Sequence, residues 1–363
     1  VRVNKVEIMR QSVPLTKPFK TALRTVTSAE SVIVKVTADD GSIGWGEAPA
    51  TVNITGDSLD GIHAIIRDSF RPILIGSDIA SYERILQSIH QAAIGNPSAK
   101  AAIDMAVYDL AAQRCGVPLY QFLGGYRDQL ETDCTVSVND PREMVEDASR
   151  YVAEGFTVLK VKVGKDEPAR DLERLKLIRS AVGERIKIRV DANQGWLAKD
   201  AIRFIRRMED AGLDIELVEQ PVKAHDIEGL RQVTHAVDMP IMADESVFSP
   251  AQAYEVLQKR AADMINVKLM KAGGIYKALR IIHAAEEYGI ECMMGSMIES
   301  RIAVTAAAHL AAGLKNVTKV DFDAPLMLKE DPTEGGIRYD GSVITFGDGT
   351  GLGIQNGIGN KIL

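Results

Sequence analysis

The chain has little that would staple, clip or anchor it. Only three cysteines occur among 363 residues, at 115, 134 and 292, far apart and without a CxxC pair. That argues against a disulfide framework and against zinc spacing, and makes a reducing cytoplasm the expected location. No run of apolar residues is long enough to cross a bilayer, so no membrane partner is expected. The opening stretch VRVNKVEIMRQSV alternates like a strand and does not resemble a signal peptide. Basic runs that could track a nucleic-acid backbone are absent and the net charge is a mild −7, so nucleic acid is not an expected partner. Low-complexity segments and linkers are also missing. What is present, 46% hydrophobic and 26% charged residues, suits a folded protein of one large domain or two. A core of this size needs no staples.

After about residue 130 the chain acquires a period. Short apolar strands recur, among them TVLKVKV, IKIRVDAN, IELVEQP, PIMADES, MINVKLM and TKVDFDA. Between them lie segments such as PREMVEDASRYVAEG, with acids near the start and glycine after the end, which are helix start and stop signals. Polar residues at the strand ends, Thr135, Lys162, Asp191, Glu219, Asp244, Lys268, Ser296 and Asp321, are spaced by about 24 to 29 residues, one β/α unit each. Eight strands alternating with helices at this repeat predict an α/β fold of the TIM-like (β/α)8 type. An open doubly wound sheet is the alternative, because a repeat does not show closure.

The first part reads differently. VRVNKVEIMRQSVP and SVIVKVTADDGSIGWGEA, with the Asp39-Asp40-Gly41 turn, predict an antiparallel β unit followed by helices. The expected organisation is an α+β capping domain at 1–126, a barrel at 127–324 and a C-terminal segment at 325–363 that packs back on the cap. The glycines at 347, 349, 351 and 353 lack a preceding strand and a following helix, so a turn-rich tail is a better reading than a phosphate cradle.

The strand ends carry the chemistry. In TVLKVKVG, Lys160 and Lys162 share one strand face, and two sheltered ammonium groups side by side need compensation. Asp191, Glu219 and Asp244 close three consecutive strands at the end where barrel enzymes place their active sites. One such carboxylate is more simply a helix cap or an ion-pair partner. Three in register are hard oxygen ligands suited to Mg2+. Lys162 and Lys268 end strands two and six, on opposite sides of the mouth. A ligand held between them would meet one amine on each face, and the crowding of charge is expected to help Lys162 act as a base. Lys160 is expected to stay cationic and to hold a substrate carboxylate. The bland reading of either lysine alone is an ion pair with the same acids.

The set KVK, DAN, EQP, ADES and NVKLMKAGGI resembles the enolase superfamily, in its muconate-lactonizing-enzyme subgroup, over nearly the whole chain. KPFKTALRTV and VDFDAP make it most similar to the dipeptide epimerases of the L-Ala-D/L-Glu type within that subgroup. The resemblance implies a (β/α)7β barrel under an α+β cap. It also implies one Mg2+ per subunit and a metal-stabilised enolate, formed when a lysine removes the proton α to a carboxylate. A second lysine would return a proton on the other face.

A small dipeptide is the partner this implies, with a role in murein peptide recycling. Asp321 and Asp323 would hold its ammonium group, and Arg24, in a capping-domain loop, would clamp an acidic side chain. Thr135, Ser296 and Ile298 would line the same pocket. Three other readings are open: an N-acylamino-acid racemase, a one-base muconate cycloisomerase or o-succinylbenzoate synthase, and a non-catalytic metal-binding barrel. Association into a homo-oligomer is also open. The six histidines miss the strand ends and are given no role.

Overall fold

A computed structural model describes residues 1–358; residues 359–363 of the expected C-terminal segment lie outside the described residues. Strands β1 (Val3–Lys20), β2 (Thr25–Ala38) and β3 (Ile43–Pro49) form an antiparallel sheet in that order. The turn before β3 closes as the sequence predicts. Asp40 Oδ1 accepts from the Ser42 N–H at 3.0 Å and hydroxyl at 2.6 Å, and Gly41 takes φ +86°. A glycine reaches that left-handed region without strain. Helix Pro97–Arg114 begins with proline in its first turn and lies buried against β3. The approach is so close that a Cβ at Gly46 would fall 1.8 Å from the Ala102 carbonyl oxygen. Gly44 and Gly46 are therefore a packing requirement.

Strand β4 (Gln129–Glu131) precedes eight parallel strands. These are β5 (Cys134–Val136), β6 (Val158–Lys162), β7 (Lys187–Asp191), β8 (Ile215–Glu219), β9 (Ile241–Ala243), β10 (Met264–Lys268), β11 (Glu291–Gly295) and β12 (Val317–Asp321). Neighbours pair in sequence order, and every connection is helical. A parallel bridge between Thr132 and Val320 brings the first strand onto the last, which rules out the open sheet and leaves a (β/α)7β barrel. The strands are buried on both faces because helices cover the outside and side chains fill the inside. Leu217, Met242, Met264 and Met293 form a fully packed cluster within.

Two buried carboxylates of the first unit fasten it to barrel helices. Asp104 accepts from Ile275 N–H at 2.6 Å and Tyr276 N–H at 3.1 Å, at the start of helix Ile275–Glu287. Glu47 accepts from Ser300 N–H, the Ser300 hydroxyl and Ala303 N–H, at the start of helix Arg301–Gly313. Helix N-termini carry unsatisfied N–H groups and partial positive charge, so each carboxylate meets a complementary surface.

The tail divides between two neighbours. Strand β13 (Glu334–Gly335) pairs with β16 (Ile354–Asn356), while β14 (Arg338–Asp340) and β15 (Val343–Thr345) extend β4. Asp109 on helix Pro97–Arg114 joins the first unit to the tail by accepting from Trp45 N–H and Leu352 N–H. Packing back on the capping domain was the expectation. The unpaired edge of β4 accounts for the second attachment, since bare backbone groups on a strand edge recruit another strand.

Candidate active site

Backbone register gathers the charged strand ends into one layer. Lys162 pairs with Asp191 across β6 and β7, and Asp191 pairs with Glu219 across β7 and β8. Lys268 stands opposite Gly295, and Gly295 opposite Asp321. Gly295 is required here, because a Cβ would lie 3.0 Å from Lys268 Cε and 2.8 Å from Asn266 Oδ1. Asp244 directly follows β9. The chain leaves these strand ends through left-handed residues, Asn193 at φ +42° and Gln220 at φ +37°, which amide side chains tolerate better than most. Their polar groups hold the turns: Asn193 N–H donates to Asp191 Oδ1 at 2.8 Å, and Gln220 Oε1 accepts from Asp244 N–H at 2.8 Å.

All these side chains are buried. Lys160 Nζ lies 2.7 Å from Glu219 Oε2, 2.7 Å from Asp321 Oδ2 and 3.2 Å from Asp191 Oδ2. Lys162 Nζ is 2.6 Å from Asp191, and Lys268 Nζ is 2.7 Å from Asp244. Lys271 binds the other Asp244 oxygen at 2.6 Å. Lys160 lines the cavity. It is 1% exposed and occupies the point where three carboxylates crowd, the most favourable place for a cation. Burial alone would lower its pKa, but Asp321, Glu219 and Asp191 hold it well above the ordinary lysine range. Lys268 is raised in the same way, Asp244 outweighing burial.

Charge does not balance. Lys160, Lys162, Lys268 and Lys271 face six carboxylates, those of Asp191, Glu219, Asp244, Glu245, Asp321 and Asp323. Two negative charges are left over when all six ionise. Burial, together with neighbouring acids, pushes Glu219, Glu245 and Asp323 each up to about 7. Glu219 Oε2 and Asp244 Oδ1 meet only ammonium charge, with no hydrogen bond directed at either. An all-oxygen donor set with two unmatched charges fits a hard divalent cation such as Mg2+. Among the described residues no group of three acids is placed to hold a cation, because ammonium groups stand between the carboxylates.

The capping domain closes the pocket. Phe19, Thr21, Leu23 and Arg24 come from the end of β1 and the loop after it, and Ile54 from the loop after β3. They face Thr135, Lys160, Lys162, Lys268, Ser296, Ile298, Asp321 and Asp323 across one cavity. The loop is pinned by Lys20, whose carbonyl accepts from Val138 N–H and whose ammonium donates to Asn139 at 2.7 Å. Arg24 has no carboxylate partner among the described residues, and burial lowers its pKa. Thr135 N–H donates to Asp323 at 2.6 Å, and the Ser296 hydroxyl reaches the Asp321 carbonyl at 3.5 Å.

Sequence reasoning placed Asp321 and Asp323 on one strand face. Only Asp321 is on β12; Asp323 starts the following 3-10 turn, yet both reach the cavity. Phe19, Asn193, Glu245 and Lys271 were missed. Glu245 and Lys271 stand in the ADES and NVKLMKAGG motifs, one and three residues beyond the positions chosen by period. Phe19 lies in KPFKTALRTV, with Lys162 Nζ 5.9 Å from its ring centre.

Residues 3–124 match the family described as mandelate racemase / muconate lactonizing enzyme, N-terminal domain, and residues 143–356 the enolase C-terminal domain-like family. The chain belongs to the enolase superfamily. Among its superfamily relatives, the L-Ala-D/L-Glu epimerase of Bacillus subtilis is 59% identical over 98% of this chain and 97% of its own length. A substrate-liganded structure of that epimerase superposes with a TM-score of 0.97 at 59% identity, covering 98% of this chain and 99% of the other. The dipeptide epimerase of Enterococcus faecalis, complexed with Mg and L-Leu-L-Tyr, superposes at 0.95 with 43% identity, over 98% and 100% of the two chains.

Proposed function

We propose that this protein is a Mg2+-dependent dipeptide epimerase that interconverts L-Ala-L-Glu and L-Ala-D-Glu by proton transfer at the α-carbon of the second residue. The observation that carries the reading is the pair Lys162 and Lys268, on β6 and β10, facing one cavity from opposite sides of the barrel. A carbon acid inverted at one centre needs a proton removed from one face and returned to the other. Either lysine takes the proton on its own face while the other, protonated, donates on the opposite face. Exchange of roles runs the reaction backward.

The cation would be held by Asp191, Glu219 and Asp244. When bound it supplies positive charge that stabilises charge developing on the substrate carboxylate. Lys160 adds a fixed charge from below. Asp323 beside Asp321 is an acid in need of a cation, which suits the substrate's N-terminal ammonium. Arg24, unpaired in the cap, suits the acidic side chain at the other end. Thr135, Ser296 and Ile298 shape the wall between them.

An N-acylated amino acid would use the same lysines but bring no ammonium group to Asp321 and Asp323, which favours a free dipeptide. We further infer a role in murein peptide metabolism and a cytoplasmic location. The three unpaired cysteines support a reducing compartment. No helix among the described residues is long and apolar enough to cross a membrane.

The test is a dipeptide library incubated in D2O with Mg2+ and read by mass and chirality. L-Ala-L-Glu should gain one deuterium as it inverts, and EDTA should stop turnover until Mg2+ is returned. Preferential turnover of N-acetyl-Ala-Glu, or a change of connectivity without inversion, would replace this reading with the racemase or the one-base enzyme.

A further inference from the structure

Away from the mouth, a cleft of about 600 Å3 opens between the capping domain and the barrel. His90, Pro97 and Lys100 line it from the cap, and Phe248, Lys277 and Arg280 from the barrel. Among the described residues no carboxylate lines it. The basic groups differ in how they are held. Lys277 Nζ makes no hydrogen bond or ion pair among the described residues and lies 5.5 Å from the centre of the Tyr276 ring. Arg280 lies over the same ring at 4.4 Å, bonds the Tyr276 hydroxyl at 2.5 Å and is 3.5 Å from Glu83. Lys100 is buried and points its ammonium at the Ala93 carbonyl at 2.6 Å.

Further features favour negative charge. His90 Nε2 is buried without a partner, while its ring packs on Tyr276. Helix Pro250–Lys259 starts at the cleft wall, capped by Ser249, so its positive end faces the opening. The start of helix Pro97–Arg114 is already served by Asp57, which accepts from Ser98 N–H at 3.0 Å. Burial, then the charges of Lys277, Lys100 and Arg280, push His90 down to about 4. Phe248, Pro97, Pro250 and Ala251 give the cleft an apolar wall beside this charge.

We propose that the cleft binds a small phosphate-bearing anion, its oxygens held by Lys277 and Arg280 beside the His90 ring and its body against Phe248 and Pro97. The site is separate from the dipeptide cavity. Its inner wall is Lys271, whose ammonium is committed to Asp244 and to the Asn266 carbonyl, so it lends charge and no free donor. Two sources share this chemistry, free polyphosphate and an organic phosphate ester. Inorganic pyrophosphate and phenyl phosphate separate them, the second alone using the apolar wall.

The experiment titrates each probe into Mg2+-free protein at constant ionic strength, following heat of binding and the His90 ring signal by NMR. Saturable binding of one probe per chain is expected, with the His90 pKa rising as the anion binds. Lys277→Glu, at a partly exposed position without hydrogen bonds, should weaken it by about tenfold or more, because a charge-assisted contact becomes a repulsion. Arg24→Met should leave it unchanged. The proposal fails if neither probe saturates by about 10 mM, an affinity too weak for a built site. It also fails if Lys277→Glu binds as the parent does, or if Arg24→Met abolishes binding, which would put the anion in the dipeptide cavity.

Discussion

The barrel buries charge at both ends, with different cations. At the floor, Arg189 binds Asp133 at 2.7 Å and Glu216 at 2.6 Å, and reaches the Val320 carbonyl at 3.4 Å. At the mouth, four lysines share six acids. A guanidinium is planar, permanently charged and fixed by several directed bonds, so the floor is a structural lock. An ammonium is a point charge on a flexible stem that can give up its proton, so the mouth can rearrange and react. Both layers are built on the same strands: Arg189 and Asp191 are two residues apart on one face of β7. Two residues along a strand thus separate a group that holds the barrel from one that would hold the cation.

That contrast breaks most visibly at the lysines. Lys162→Ala and Lys268→Ala should each lower epimerisation by about 100-fold to 10,000-fold, the usual range for a lost general acid or base, while melting near the parent temperature. Arg189→Met should do the reverse. It leaves Asp133 and Glu216 facing each other without their cation, and urea unfolding should show a loss of about 3–5 kcal/mol. The fraction that stays folded should turn over substrate much as the parent does. A mouth variant that unfolds, or a floor variant that folds well and is inactive, would erase the distinction.

A smaller effect is expected at the rim. Arg24→Met should reduce kcat/KM for L-Ala-L-Glu by about 30-fold or more, since a buried charge-assisted contact is worth about 2–5 kcal/mol. L-Ala-L-Leu should be spared. Equal loss on both substrates would make Arg24 a part of the cap that does not select.

The smallest effect lies outside both layers. His309 is buried, accepts from Tyr120 N–H at 2.9 Å, and is pushed down by burial to about 3. Its folded pKa is below the unfolded value near 6.5. The unfolded chain therefore takes up the proton first, and the stabilisation present above pH 6.5 is lost as pH falls toward 3. Between pH 7 and pH 5 this group alone should remove about 2 kcal/mol. His309→Asn should flatten that part of the urea-stability profile, and an unchanged slope would show that another group sets it.

Much of this was legible because a barrel repeats. The spacing of Lys162, Asp191, Glu219, Asp244 and Lys268 follows from one β/α unit per strand, and strand parity puts the side chains inside. Other groups were hidden for physical reasons. Lys271 reaches Asp244 from the short helix after β10, and Asp323 reaches the cavity from a turn after β12, so neither obeys strand parity. Glu245 follows Asp244 where the strand has already ended. The division of ammonium groups among carboxylates depends on distances of an ångström or less. Arg189 reads in sequence as one more charged residue inside a strand, and only its bonds to Asp133 and Glu216 reveal the lock.

The central claim, that the two lysines serve opposite faces of one carbon, is tested most directly by exchange in the single-lysine variants. L-Ala-L-Glu and L-Ala-D-Glu are each incubated with Lys162→Ala and with Lys268→Ala in D2O and Mg2+, and the α-proton is followed by NMR. The account predicts that each variant exchanges the α-proton of one epimer only, that the two variants choose opposite epimers, and that neither inverts the centre at an appreciable rate. Exchange of the same epimer by both variants, or inversion at the parent rate by either, would contradict it.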